Sequence, residues 1–416
     1  MSSWPEPGRL RDVESADVYK CGRLAGTLRR DGDDVVFTYL EEYRADPETP
    51  PIAFTLPKHS EAVRTTGGSV PPFFAGLLPE GARLVAITAL TRTSEDDHLS
   101  LLLAVGADTV GDVQVLPTGL SLTEPPPLFG EDPATADFAE VFARATAITG
   151  DEFDRTALPG IQVKVSARMI STPVRTGHGA AILKLNPPEF PRLVENENFF
   201  LDMAAECGIR VPPHQLAIDR LGRAGLFVER FDRVVEGDGI RRLAQEDACQ
   251  VLGRYPAAKY RISLQEAIKG LGQAVEAGEG SRRAAILTML EIAAFSYLIG
   301  NGDLHGKNLS ILRAPSGIWE VTPAYDLLTT QPYRSWKDPM ALALYGRNAR
   351  LGHRWWMEAA ERLGVPRRAL ARSLDRISEA AQPWIGRLGE IGFDEAWTRR
   401  LAELIEQRRQ ELSAPE

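Results

Sequence analysis

Gly300-Asn301-Gly302-Asp303-Leu304-His305-Gly306-Lys307-Asn308 is the stretch that decides how this chain reads. An Asp and an Asn stand five positions apart, just past an apolar helical run, and Tyr325-Asp326 follows, with Asp326 18 residues beyond Asn308. Transfer of a phosphoryl group from ATP to a hydroxyl needs that set. One carboxylate accepts the proton of the attacking hydroxyl, while an amide oxygen and a second carboxylate hold Mg²⁺ on the phosphates. Asp303 is therefore the candidate general base. Asn308 and Asp326 are the candidate Mg²⁺ ligands, hard oxygen donors for a hard cation. Alone, an Asp-x-x-x-x-Asn pattern is more often a solvated loop. His305 and Lys307 inside the pair, and the expected strand pair Leu309–Leu312 and Trp319–Thr322 ahead of Tyr325-Asp326, shift the balance toward chemistry.

Protein kinases use the same spacing of base and metal-binding Asn, with a second metal-binding Asp downstream. Working outward from the loop, Lys184 ends the apolar run Ala180–Leu185, a place from which a Lys reaches the α- and β-phosphates as a point charge. Glu197 lies early in a helix expected over Glu195–Cys207 and is placed to orient Lys184 by an ion pair, although Glu195 and Glu206 share that helix. Gly160, within Leu158-Pro159-Gly160-Ile161-Gln162-Val163-Lys164, lets backbone N–H groups approach phosphates. With a single glycine this loop matches neither a Walker A nor a GxGxxG motif, and a plain turn reads equally well. No Ser or Cys nucleophile motif accompanies His305, so it is expected to fix the loop by hydrogen bonding. His59, His98, His178, His214 and His353 are scattered singly, without metal-ligand spacing.

Composition bounds the alternatives. A chain of 416 residues exceeds one ordinary core, so two or three domains are expected. With 44% hydrophobic and 25% charged residues it reads as an ordinary soluble globular protein. A net charge of −9 argues against a broad footprint on nucleic acid, which needs clustered excess Lys and Arg. The three cysteines, Cys21, Cys207 and Cys249, form no CxxC pair and suit a reducing cytoplasm. Glu6, Arg9, Arg11, Asp12, Glu14 and Asp17 leave no apolar core for a signal peptide in the first residues. The longest apolar run, Ala284 to Ile299, is interrupted by Glu291 and falls short of the roughly 20 residues of a membrane span.

The pattern predicts an α+β chain. Residues 18–40 read as a hairpin, Val18–Leu24 and Val35–Leu40, around a polar turn at Asp31-Gly32-Asp33. Pro71 to Gly81 reads as loop and short helix, and Thr109–Val115 as a further strand. A small α+β subdomain over 1–117 is followed by a linker, 118–135, marked by Pro125-Pro126-Pro127. Residues 136–236 are strand-rich with one good helix and a last strand at Gly225–Phe231. Beyond that, 237–416 are mostly helical, with helices expected at Gln245–Leu252, Ser263–Ala277, Ser281–Ile299, Arg354–Leu363, Arg367–Ala381 and Phe393–Leu412. A β-rich lobe feeding a helical lobe is the two-lobed kinase plan.

At this point the chain resembles the HipA family of serine/threonine kinase toxins, nearly end to end. The resemblance is carried by Phe74-Ala75-Gly76-Leu77-Leu78-Pro79-Glu80-Gly81, Val110-Gly111-Asp112-Val113, Leu158 to Lys164, Ile182-Leu183-Lys184-Leu185, Val228-Glu229-Arg230-Phe231-Asp232-Arg233, Gln245-Glu246-Asp247, Gly302 to Asn308, and Pro323-Ala324-Tyr325-Asp326, in this order. It implies a two-lobed kinase fold behind a small amino-terminal subdomain. It also implies ATP- and Mg²⁺-dependent phosphorylation of a protein, an aminoacyl-tRNA synthetase in the best-known relatives, with arrest of translation and persistence. The implied partner is a small helix-turn-helix antitoxin of the HipB type that binds operator DNA and carries the kinase with it. Residue by residue, Asp303 matches the catalytic Asp, Asn308 and Asp326 the metal ligands, and Lys184 the phosphate-contacting Lys. Pro159, Gly160, Ile161, Gln162, Val163 and Lys164 match the nucleotide loop. Glu229, Arg230 and Phe231 fall at the hinge that holds adenine, and His305, Gly306, Lys307, Asn308 and Tyr325 border the nucleotide. One departure stands out. Where family members commonly carry a serine whose autophosphorylation ejects the loop, this chain has Ala157, with Thr156 beside it.

Two other readings compete. A small-molecule kinase of the aminoglycoside phosphotransferase type uses a similar Asp/Asn loop, but neither region 18–117 nor Tyr325-Asp326 fits it. A weakly active kinase fold serving mainly as a co-repressor is the rival from another class.

Overall fold

The computed structural model describes residues 5–122, 133–140, 170–176, 179–187, 189–236 and 239–413. The expected nucleotide loop Pro159–Lys164, with Thr156 and Ala157, lies outside them, as does most of the Pro-rich stretch.

The amino-terminal part is an antiparallel sheet with strand order β4-β3-β2-β1-β5, made of β1 (Ser15–Lys20), β2 (Arg23–Asp31), β3 (Asp34–Tyr39), β4 (Val63–Thr65) and β5 (Val113–Pro117). The sequence predicts one hairpin here, and the structure has a three-stranded meander. Cys21 and Gly22 both take positive φ, 51° and 76°, which closes a tight turn in the middle of what reads as one strand. Four helices pack on this sheet: α1 (Glu41–Ala45), α2 (Pro72–Gly76), α3 (Gly81–Thr91) and α4 (His98–Val105). They share a core of Leu28, Phe37, Phe74, Leu99 and Leu102, all at most 1% exposed.

A second antiparallel sheet, order β6-β7-β9-β8, comprises β6 (Ile170–Thr176), β7 (Gly179–Leu185), β8 (His214–Ile218) and β9 (Ala224–Glu229). Helix α5 (Leu193–Glu206) contacts it, and Gly208 past its end has φ +73°. A small ribbon follows, β10 (Arg233–Glu236) with β11 (Gly239–Arg242).

The remainder is helical around a three-stranded sheet of β12 (Gln245–Asp247), β13 (Ser310–Arg313) and β14 (Trp319–Val321). The helix expected over Gln245–Leu252 is therefore shorter. Its first three residues pair with β13, and only α6 (Ala248–Val251) is helical, started by a capping box between Asp247 and Gln250. Helices α7 (Leu264–Ala277), α8 (Arg282–Ile299), α9 (His353–Arg362), α10 (Arg367–Ile385) and α11 (Glu395–Leu412) complete it. Ser263 and Ser281 cap α7 and α8 with their side chains. Helix α10 outruns its expected end at Ala381 and carries Pro383 in its last turn, stopping at Ile385.

Helix α8 positions the site. It is apolar nearly all round, with Met289, Leu290, Phe295, Leu298 and Ile299 buried, so it runs through the core instead of along a surface. Burying each such side chain contributes about 1.5–3 kcal/mol. The helix stops at Gly300, φ +78°, a left-handed cap that delivers residues 301–309 as a loop from a rigid base.

Candidate active site

Lys184, near the end of β7, lies between two carboxylates. Its Nζ is 2.6 Å from Glu197 Oε1 and 2.5 Å from Asp326 Oδ1. The ion pair expected from Glu197 is present. Lys184 and Glu197 are both buried, at 6% and 0% exposure. Burial would drive the ammonium to lose its proton, but Asp326 and Glu197 outweigh it and raise the Lys184 pKa. Burial raises the Glu197 carboxyl, Lys184 lowers it, and the negative charge of Asp326 adds to the rise. Among the described residues one cation thus serves two acids, one of which burial pushes toward its neutral form. Asp326 holds φ +54°, a left-handed conformation that Asp tolerates better than most residues.

The loop after α8 is tied to Asp326 by a buried amide that sequence reading did not single out. Asn301 accepts from Asp303 N at 2.8 Å through Oδ1 and donates to Asp326 O at 3.2 Å through Nδ2. Asp303 is 1% exposed and receives a 2.7 Å hydrogen bond from Tyr260 Oη. Asn308 donates Nδ2 to Asp303 O at 3.1 Å, which leaves Oδ1 as its acceptor. Tyr325 donates to Lys307 O at 2.6 Å and meets Ser310 Oγ at 2.5 Å, pinning the end of the loop.

The Nδ1 of His305 is buried with no hydrogen-bond partner among the described residues, so none of them ties the loop through that atom. Its ring packs edge-on against Tyr260, centroids 5.0 Å apart. Burial, reinforced by Lys259, pushes its pKa down to about 3, so the imidazole is neutral. Lys307 reaches away from Lys184's carboxylates to the amino-terminal part, donating to Gly76 O at 3.0 Å and standing 3.4 Å from Glu80. Gly306 N donates to Lys259 O at 3.0 Å.

At the end of β9, Glu229 is exposed and the Phe231 ring lies 5.7 Å from that of Tyr325. The Arg230 guanidinium is engaged elsewhere. It binds Asp232 at 2.9 Å, Asp108 at 3.0 Å and Thr109 O at 2.9 Å, and Asp232 in turn accepts from Gly111 N at 2.8 Å. The side chain of Arg230 therefore ties the end of β9 to Asp108 and Thr109 of the amino-terminal part.

Among the described residues no group of three or more His, Cys, Asp and Glu could hold a metal ion by itself. Mg²⁺ binds through one or two protein oxygens together with substrate phosphates and water, so it does not need such a group. Asn308 Oδ1 and the Asp326 carboxylate are hard oxygen donors of the kind such an ion takes. No helix of the described residues is long and apolar enough to cross a membrane.

Comparison with known proteins agrees with this arrangement. The description HipA N-terminal domain matches residues 16–116, and HipA-like C-terminal domain matches residues 156–385. The putative kinase Y4mE of Sinorhizobium fredii is 32% identical over 412 residues, covering 94% of this chain and 97% of that protein. The serine/threonine-protein kinase toxin HipA of Shewanella oneidensis is 28% identical over 356 residues, covering 79% of this chain and 78% of that one. A solved structure of the Shewanella oneidensis HipA, HipB and operator DNA complex contains a chain that superposes with a TM-score of 0.74 at 22% identity, covering 95% of this chain and 96% of that one, and so shares the fold. With a two-lobed kinase-like architecture, family matches over both halves and a relative aligned nearly end to end, the chain belongs to the HipA family.

Proposed function

We propose that this chain is an ATP- and Mg²⁺-dependent serine/threonine protein kinase, the toxin of a toxin–antitoxin pair acting in the cytoplasm. The observation that carries the reading is the meeting of Lys184, Glu197 and Asp326 beside a loop that presents Asp303 and Asn308. Lys184 would hold the α- and β-phosphates as a fixed charge, oriented by Glu197. Asn308 and Asp326 would hold Mg²⁺, which when bound neutralises charge on the phosphates. Asp303 would accept the proton of the acceptor hydroxyl as its oxygen bonds to the γ-phosphorus and the bond to the leaving ADP oxygen breaks. Tyr260, donating to Asp303, keeps one carboxylate oxygen oriented. Phe231 and Glu229, with Pro159 to Lys164, belong to the proposed nucleotide site. Domain limits at 117, 135 and 236 belong to the same proposal. The partner is a HipB-like helix-turn-helix antitoxin, through which the kinase would act as co-repressor on operator DNA. The substrate class is a protein of translation such as an aminoacyl-tRNA synthetase.

Asp303→Gln tests the reading. Labelled ATP is offered with cell proteins and, separately, with an aminoglycoside panel, and phosphoproteomics follows induced expression. Protein phosphorylation should fall at least about 100-fold in the variant, with Mg·ATP affinity nearly unchanged. Transfer within about tenfold of the parent would remove Asp303 from its role. Labelled aminoglycosides would replace the protein-kinase reading.

A further inference from the structure

Leu77 to Glu80, between α2 and α3, reaches the loop that carries Asp303. Glu80 there forms short ion pairs with two lysines of the helical part. Its Oε2 binds Lys259 Nζ, and its Oε1 lies 3.4 Å from Lys307 Nζ. Lys307 also donates to Gly76 O at 3.0 Å, so both ends of this segment grip the same side chain. Each lysine belongs to a piece of backbone that matters to the site. Lys307 sits one residue before Asn308. Lys259 precedes Tyr260, the donor to Asp303, and its carbonyl receives Gly306 N at 3.0 Å. The two lysine side chains are only 11% and 13% exposed, and Glu80 33%, so the cluster is largely shielded from solvent. Burial alone would raise the Glu80 carboxyl, yet Lys307 and Lys259 hold it down at about 2, so it stays ionised between them.

We propose that Glu80, contributed by the amino-terminal sheet unit, is a positioning residue for the catalytic loop. It bridges Lys259 and Lys307 and thereby fixes both Tyr260 against Asp303 and the His305–Asn308 turn. Without Glu80 the charges of Lys259 and Lys307 would share a shielded space in which Asp247, itself pushed toward its neutral form by burial, faces Lys307, and like charges at close range repel. The lysines would separate, and the backbone that each one anchors would move with it. The amino-terminal unit is then part of the active site and not an appendage to it. Anything that lifts it away disables the loop.

This inference rests on the kinase reading for its activity measurement but not for its structural one. Full-length chain is compared with Glu80→Gln, Glu80→Asp and Glu80→Ala. In native-state hydrogen exchange, amides of 259–260 and 303–308, the Gly306 N–H above all, should exchange at least about tenfold faster in Glu80→Gln and Glu80→Ala. Those of α8 should be unchanged. Phosphoryl transfer from Mg·ATP to the protein acceptor should lose about tenfold or more in kcat, since small misplacements of reacting groups are costly, with KM for ATP changed less than about threefold. Glu80→Asp should recover part of both. Unchanged exchange at 303–308 in Glu80→Gln overturns the proposal whether or not the parent transfers phosphate. A parent that transfers none, with exchange altered as expected, refutes the kinase reading and leaves the positioning role standing. Equal kcat in parent and Glu80→Gln overturns the role, as does a loss confined to KM.

Discussion

Lys184 is shared by two acids, Glu197 and Asp326, and that arrangement has measurable consequences at the scale of single residues. Removing one partner from a buried ion pair leaves a charge without compensation, at about 3–5 kcal/mol. Lys184→Met strips the only cation among the described residues that forms an ion pair with either acid, so its urea unfolding midpoint should fall by the equivalent of that cost. Glu197→Gln is different. It keeps the shape and leaves Lys184 its pair with Asp326, while removing the carboxylate that burial already pushes toward the neutral form. Its stability should stay within about 1 kcal/mol of the parent or rise, as functional sites hold groups that stability would not choose. Nucleotide turnover should fall in both variants. Equal destabilisation by the two changes would mean that Glu197 is fully ionised.

Elements from distant parts of the chain meet at buried polar contacts, and one of these sets a pH dependence. Glu246 on β12 accepts from Phe54 N at 3.0 Å through Oε1, while its Oε2 is buried with no partner among the described residues. Burial raises its pKa to about 8, helped by Asp247 and Asp112. The folded chain therefore keeps a proton that the unfolded chain releases near pH 4.3. Between that value and about 8, stability falls as pH rises, by up to about 1.4 kcal/mol per pH unit; below the window Glu246 contributes no pH dependence. Glu246→Gln retains an acceptor for Phe54 N and removes the titration. Urea midpoints of parent and variant should therefore diverge as pH rises from about 5 to about 8, with the variant the more stable. Parallel curves would show that Glu246 does not titrate in this window. Legibility in the sequence followed the same division between local and distant causes. The long capped helices α7, α8 and α11 could be read to within a few residues, because periodicity and cap side chains are local. The turn at Cys21-Gly22 could not, since a Cys at positive φ announces nothing, and β12 was hidden because its strand state comes from pairing with β13. In the candidate site, the proposed roles of Asp303, Asn308 and Asp326 rest on spacing that the sequence shows. Tyr260 and Glu80 carry no such mark, for only packing brings them 43 residues and more than 200 residues along the chain to the same loop. Asn301, inside the deciding stretch, was visible but had no reason to be chosen until its two backbone partners were seen.

At the scale of the whole molecule, charge separates the proposed work of the two partners. The chain carries 57 acidic against 48 basic side chains, a net charge of −9. Several of its arginines are already committed: Arg230 and Arg233 to Asp108 and Asp232, and Arg362 and Arg367 to Glu358 and Glu361. Non-specific affinity for DNA comes from cations that replace counterions on phosphates, and each contact adds about 0.9 to the slope of log affinity against log salt. A chain with excess negative charge is repelled by the duplex beyond its immediate contacts, more so at low salt, where screening is weak. In a complex with the helix-turn-helix antitoxin, the antitoxin should therefore supply nearly all the operator affinity. The chain alone should fail to shift operator DNA at moderate salt while the complex shifts it. Comparing the salt slope of the complex with that of the antitoxin alone measures the chain's own share, expected to be no more than about one phosphate contact. A larger difference would place a basic face of this chain on the DNA backbone. Tight, sequence-selective binding by the chain alone would overturn the division of labour.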